Sequence, residues 1–83
     1  MKKILIAGGD LVGGNGLVRF LEKDFKVSTS CFEEGVLGLC LAQNFDLIIT
    51  DYSLNDITGI VLIKKVKEVQ PGIKSILISR KKF

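Results

Sequence analysis

The sequence contains no histidine and only two cysteines, Cys31 and Cys40, among its 83 residues. Without histidine the chain lacks the usual general base of nucleophilic catalysis. Two cysteines with no histidine to join them are too few for a metal site. We therefore interpret both as buried thiols of an intracellular protein.

Long apolar stretches are also missing, since none approaches the ~20 residues that a membrane span needs. The first nine residues resemble a signal peptide only superficially, because their apolar part is short and Asp10 follows at once. We predict a first strand there, no membrane association and a cytoplasmic location. The net charge of +3 resides partly in Lys64, Lys65 and Lys67, on the polar side of a predicted helix. A solvated face explains these lysines, so we do not expect direct nucleic-acid binding.

Four short apolar runs alternate with helical patterns along the chain, which predicts βα units on a parallel sheet with helices on both faces. The runs are residues 3–7, 26–30, 46–50 and 74–79. The first, third and fourth are continuously apolar at their centres, as in strands buried on both faces. The second is more polar and suits an edge. Pro71 and Gly72 are expected to end the third helix, which we expect Thr58 or Asp56 to cap at its start.

The first helical pattern is unusual because Gly13, Gly14 and Gly16 fall in its first two turns. Each glycine costs up to ~1 kcal/mol relative to alanine in a helix interior. We expect either that the helix starts late, near Asn15, or that the glycines allow close backbone contact.

Asp51 is the main candidate for a functional residue. It ends the third apolar run, and a carboxylate at the carboxyl end of a buried parallel strand lies where open α/β sheets bind and react with ligands. This interpretation requires the Asp51 side chain to face the turn that carries Gly8 and Gly9.

The motifs together resemble the receiver domain of two-component response regulators. The resemblance rests on residues 3–7, 33–39 and 46–51, on Gly59 eight positions after Asp51, and on residues 75–79, which end in a hydroxyl. It implies a flavodoxin-like fold with strand order 2-1-3-4, lacking the family's fifth strand and last helices. We thus expect residues 1–83 to form a single receiver-like domain, incomplete at its C-terminus.

The resemblance implies that Asp51 is the phosphoacceptor of a phosphorelay and that Ser79 is the hydroxyl that senses the phosphoryl group. Such a domain is not an enzyme beyond its own phosphorylation and dephosphorylation. Its partner is a histidine kinase or phosphotransfer protein. Mg²⁺ is the implied cofactor, with Asp51, the carbonyl of Ser53 and an acid from the loop after the first strand as ligands.

One departure from the family pattern weakens the metal prediction. The acidic pair of the family falls on Gly8 and Gly9, and only Asp10 is nearby to replace it. Mg²⁺ is usually held by one or two carboxylates plus phosphate oxygens in octahedral geometry. We therefore expect weak Mg²⁺ binding.

The predicted fourth strand forms an apolar edge of the sheet. Such an edge can pair with another chain, so we expect self-association or a further C-terminal region.

Two alternatives to phosphoryl acceptance stay open. A degenerate receiver could act only as a protein-interaction module, which the glycine pair favours. A nucleotide-binding βα unit is the other, because a glycine-rich turn follows the first strand. That turn lacks the Lys-Ser/Thr of a P-loop, and Leu11 stands where a dinucleotide fingerprint has its middle glycine.

Overall fold

The computed structural model describes residues 1–14 and 16–79, which form a four-stranded parallel sheet flanked by helices. The sheet order is β2-β1-β3-β4, so the predicted fold class and strand order are confirmed over these residues. The strands are β1 (Lys3–Ala7), β2 (Lys26–Ser30), β3 (Leu47–Asp51) and β4 (Lys74–Ile78). The helices are α1 (Gly9–Gly13), α2 (Leu17–Leu21), α3 (Glu33–Ala42) and α4 (Gly59–Val69).

The two central strands separate two apolar layers. Leu5 of β1 and Ile48 of β3 face α3 and α4, whereas Ile6 and Ile49 face α1 and α2. Successive side chains of a strand point to opposite faces, so continuously apolar strands supply both layers at once. The layer under α3 and α4 also contains Ala7, Val36, Cys40, Phe45, Leu62, Val66 and Ile73.

The glycines of the first helical pattern divide it into two short helices. Helix α1 begins directly after Gly8 and ends at Gly13, and α2 starts after Gly16, whose φ of 75° is left-handed. The late start near Asn15, one of the two alternatives, is therefore confirmed for α2, but α1 precedes it as a separate short helix that was not predicted. Glycine adopts this left-handed conformation without the steric cost that a Cβ brings. Asn15 lies outside the described residues.

Helix starts are capped by side chains from two different places. Thr58 is the N-cap of α4, and its hydroxyl accepts a hydrogen bond from the Val61 amide at 3.4 Å. Asp56 instead accepts hydrogen bonds from the amide of Glu33, at 3.1 and 3.3 Å, and so caps α3 from the loop after β3. A carboxylate there also interacts favourably with the helix dipole.

The two cysteines differ in environment. Cys40 is buried, and burial raises the pKa of its thiol because the thiolate is poorly solvated there. Cys31 is partly exposed, so the expectation that both thiols are buried was wrong for it. Among the α4 lysines, Lys65 forms an ion pair with Glu33 at 2.9 Å on the surface.

Strand β4 pairs with β3 along one side, in the described part of the chain, and forms an edge of the sheet. The side chains of Ile76 and Leu77 are 47% and 37% exposed. The expectation that β4 forms an apolar edge is therefore confirmed over the described residues, whereas the burial on both faces that its apolar centre indicated is not found.

Gln70 connects three parts of the fold at the amino-terminal end of β3. Its Oε1 accepts a hydrogen bond from the Phe45 amide at 2.9 Å. Its Nε2 donates to the carbonyls of Cys40 at 2.8 Å and Gln43 at 2.7 Å. One buried side chain thus provides hydrogen-bond partners for backbone groups at the carboxyl end of α3 and in the segment that leads into β3.

Replacing Gln70 by alanine should lower the free energy of unfolding by roughly 2–4 kcal/mol, because three backbone groups lose their partner at a buried position. Urea unfolding followed by circular dichroism measures this. Gln43→Ala is the matched control, since only the backbone carbonyl of Gln43 takes part. Equal effects of the two substitutions would contradict this role of Gln70.

Candidate functional site

Asp51 is the last residue of β3 and lies at the carboxyl end of the sheet, half-buried. Its neighbours on either side are the ends of β1 and β4. Ala7 of β1 is in register with Thr50, and Ile78 of β4 is in register with Asp51 itself. The carboxylate therefore occupies the edge where three strands end, which is the usual position for ligands in such sheets.

The Asp51 side chain faces the turn after β1, as the phosphoacceptor interpretation requires. Its Oδ2 accepts a hydrogen bond from the backbone amide of Leu11, 3.3 Å away, in the first turn of α1. Sequence reasoning missed Leu11, because an apolar residue that contributes its backbone amide leaves no signal in the sequence.

Gly8 provides the space into which this carboxylate fits. A Cβ built on Gly8 would overlap Oδ2 of Asp51 and lie 2.7 Å from Cβ of Asp51. The φ of Gly8 is 114°, a conformation that other residues rarely adopt. Gly9 differs, since a Cβ there meets nothing within 4 Å. Of the two glycines, Gly8 alone is required by the geometry.

The other predicted site residues lie around Asp51. Ser79 directly follows β4, one residue beyond the register partner of Asp51, and takes part in an interaction there. Asp10 is exposed in the first turn of α1. Ser53 is exposed and forms an isolated bridge with Thr58. Their predicted roles in sensing and metal binding stay predictions.

The donor atoms around Asp51 do not fit a Mg²⁺ ion. One oxygen of its carboxylate already accepts a hydrogen bond from the Leu11 amide. Gly8, which lies against this carboxylate, has no side chain that could supply a further metal ligand. Across residues 1–14 and 16–79, no group of three or more Asp, Glu, His or Cys side chains is arranged to hold a metal. A hard divalent cation needs several oxygen ligands in octahedral geometry, which this set does not supply.

Gly59 fixes the loop that follows Asp51. Its amide donates to the Tyr52 carbonyl at 2.6 Å. A Cβ on Gly59 would overlap the backbone oxygen of Asp51 and lie 2.6 Å from Cδ1 of Leu77. The sequence identified Gly59 by its spacing from Asp51, and the structure gives the reason for the glycine: α4 begins in direct contact with the end of β3.

Comparison with known proteins gave matches among solved structures. No protein-family model and no curated protein sequence matches the chain. The receiver domain protein (CheY-like) of Methanospirillum hungatei JF-1 superimposes with a TM-score of 0.88 and 25% identity, over 100% of this chain and 67% of that one. The chain has the fold of a response-regulator receiver domain.

Two further receiver-fold neighbours carry ligands. A response regulator of Burkholderia pseudomallei with a phosphorylated aspartic acid, calcium ion and citrate has a TM-score of 0.86 and 24% identity, over 99% of this chain and 49% of that one. The response regulator TrrA of Thermotoga maritima, in complex with Mg²⁺-BeF, has a TM-score of 0.80 and 24% identity, over 98% and 71%.

The receiver fold here contains no membrane-spanning helix in the part that the structure describes. In the glycine-rich turn after β1, two amides are already bonded within the fold, that of Gly8 to the Ser30 carbonyl and that of Leu11 to the Asp51 carboxylate. A phosphate placed there would also meet the negative charge of Asp51. This geometry disfavours the nucleotide-binding alternative.

Gly59→Ala should lower the free energy of unfolding by roughly 1–3 kcal/mol, because the added methyl group overlaps the backbone of Asp51. Gly38→Ala in α3 is the matched control. Its Cβ meets nothing within 4 Å, so it should stabilise the protein by up to ~1 kcal/mol. Chemical denaturation measures whether the two substitutions change the free energy of unfolding in opposite directions. If Gly59→Ala leaves this free energy unchanged, α4 can shift to make room for the added methyl group.

Calorimetric titration of the protein with millimolar MgCl₂ should show no tight binding, since the described residues contain no group of three or more acidic, histidine or cysteine side chains that could hold the ion. Gly9→Asp should introduce measurable binding, because position 9 has open space for the side chain. Gly9→Asn, of equal size without the charge, is the control. Tight binding by the unmodified protein that disappears in Asp51→Asn would contradict the conclusion that this site does not suit Mg²⁺.

Proposed function

We propose that this chain is a receiver module of two-component signalling in which Asp51 accepts a phosphoryl group from the phosphohistidine of a histidine kinase or phosphotransfer protein. The observation that supports it best is the position of Asp51 at the carboxyl end of β3, facing the turn after β1. Ser79, at the adjacent end of β4, is the proposed hydroxyl partner of the phosphoryl group. The proposed location is the cytoplasm.

The proposed transfer is a substitution at phosphorus. A carboxylate oxygen of Asp51 forms a bond to phosphorus while the bond from phosphorus to the imidazole nitrogen of the donor breaks. The electron pair of that bond returns to the imidazole nitrogen, and the product is an acyl phosphate on Asp51. Because two anions approach each other, catalysis consists mostly of positioning and charge neutralisation.

Charge neutralisation is the weak point of this site. The donor set around Asp51 does not suit Mg²⁺, and the backbone amide of Leu11 is the donor that the structure gives to its carboxylate. One neutral amide offsets less charge than a divalent cation with its ligands. We therefore expect slow phosphorylation with little dependence on Mg²⁺.

A second candidate function is a protein-interaction module that no longer accepts phosphate. It is favoured by one observation, the contact of the Asp51 carboxylate with Gly8 at the position where the family pattern has an acid. In that case the receiver fold serves to present surfaces for a partner, and the exposed β4 edge with Ile76 and Leu77 is an apolar example.

Incubation with acetyl phosphate, followed by intact-mass measurement over time, separates the two functions. We expect a phosphoryl-sized mass gain that accumulates slowly, at similar rates with and without MgCl₂. Asp51→Asn, which keeps the size of the side chain and removes the nucleophilic carboxylate, should show no gain.

The absence of any mass gain in the unmodified protein would favour the interaction module. A gain that persists in Asp51→Asn would place the acceptor elsewhere. Ser79→Ala serves as the test of the hydroxyl, and it should change the lifetime of the phosphorylated form while leaving its formation possible.

A further inference from the structure

We infer that the Asp51 carboxylate is the N-terminal cap of α1, and that Gly8 and the Leu11 amide position it, so that α1 responds to the chemical state of Asp51. The capping itself is a property of the fold. Its relevance to signalling rests on the proposed phosphoryl acceptance.

Helix α1 lacks a cap of its own. Its N-cap residue is Gly8, which has no side chain, and the first helical amides need acceptors from elsewhere. A local N-cap side chain normally accepts from the third amide of the helix, which here belongs to Leu11. Oδ2 of Asp51, forty residues further along the chain, accepts from this amide instead.

The close packing of Asp51 against Gly8 excludes a side chain at position 8 as long as Asp51 caps α1. The carboxylate of Asp51 occupies the volume that a Cβ at position 8 would need. Any larger residue there would push the carboxylate away from the Leu11 amide, in addition to the strain at a φ of 114°. An acid at position 8 and a cap supplied by Asp51 are therefore incompatible in this backbone.

The hydrogen bond to Leu11 depends on the charge of Asp51. A carboxylate accepts a charge-assisted hydrogen bond, which is roughly twice as strong as one to a neutral oxygen. Acyl phosphate formation either uses the oxygen that bonds to Leu11 or leaves it as a neutral carbonyl. In both cases α1 loses part of its cap.

Loss of this cap affects a short helix that is otherwise held by packing on the sheet and on α2. Helix α1 has five residues, and its end is followed by the glycines that separate it from α2. Leu11 is its buried residue and packs on Ile4, Ile6 and Ile49. A short helix held by one apolar contact layer and one cap loosens when the cap weakens.

Amide hydrogen exchange measured by NMR tests the inference. Protection of the Leu11 amide should be highest in the unmodified protein, lower in Asp51→Asn, which keeps a neutral oxygen, and lowest in Asp51→Ala. The loss in Asp51→Ala should amount to about threefold to thirtyfold, as for other N-caps. The Phe45 amide, bonded to Gln70, is the internal control and should not change.

Gly8→Ala tests the positioning role while Asp51 stays intact. It should reduce Leu11 protection, whereas Gly9→Ala, in open space, should not. Unchanged Leu11 protection in Asp51→Asn and Asp51→Ala would overturn the inference, as would an equal loss at Leu11 and Phe45. Should Asp51→Ala not fold, the comparison of Asp51→Asn with the unmodified protein decides.

These outcomes are independent of phosphorylation. If Leu11 protection follows the predicted order and no mass gain occurs with acetyl phosphate, the cap is correct and phosphoryl acceptance is not. If a mass gain occurs and Leu11 protection does not depend on Asp51, phosphoryl acceptance stands and the inference about α1 fails.

Discussion

The contact between Gly8 and Asp51 is the constraint on which the rest of the site depends. The ends of β1 and β3 come so close that the residue directly after β1, Gly8, cannot carry a side chain. The Asp51 carboxylate occupies the space that a side chain at position 8 would fill, and there it accepts a hydrogen bond from the Leu11 amide. The same contact explains why the site lacks a metal-binding acid at this position.

Electrostatics at this site therefore differ in kind from those of a carboxylate cluster. Several acids close together repel one another, and a cation relieves that repulsion. Here a single carboxylate is offset by a backbone amide at the start of a short helix. The backbone amide partly offsets the negative charge, so we expect the resting state to need no external ion.

Much of the fold could be predicted from the sequence, because strand burial and helix ends depend on local patterns. The apolar centres of β1 and β3 and the boundary of α4 before Pro71 are examples. The division of the first helical pattern was not predicted, since single glycines weaken a helix without fixing where it breaks. At the site, Asp51 was identified by its place at a strand end, whereas Leu11 acts through a backbone amide and Gly8 through missing volume. Neither leaves a chemical signature in the sequence.

At the opposite end of the sheet, three hydrogen bonds to backbone groups restrict which residue can stand at position 70. The position of Gln70 demands one acceptor and two donors at the end of a side chain of fixed reach. Asparagine has the same groups on a shorter stem, and glutamate has no donor. Leucine and isoleucine can often exchange in a core, but this amide has no substitute. The requirement for a glutamine directly after α4 is therefore set by the backbone groups at the amino-terminal end of β3, independently of the residues around Asp51.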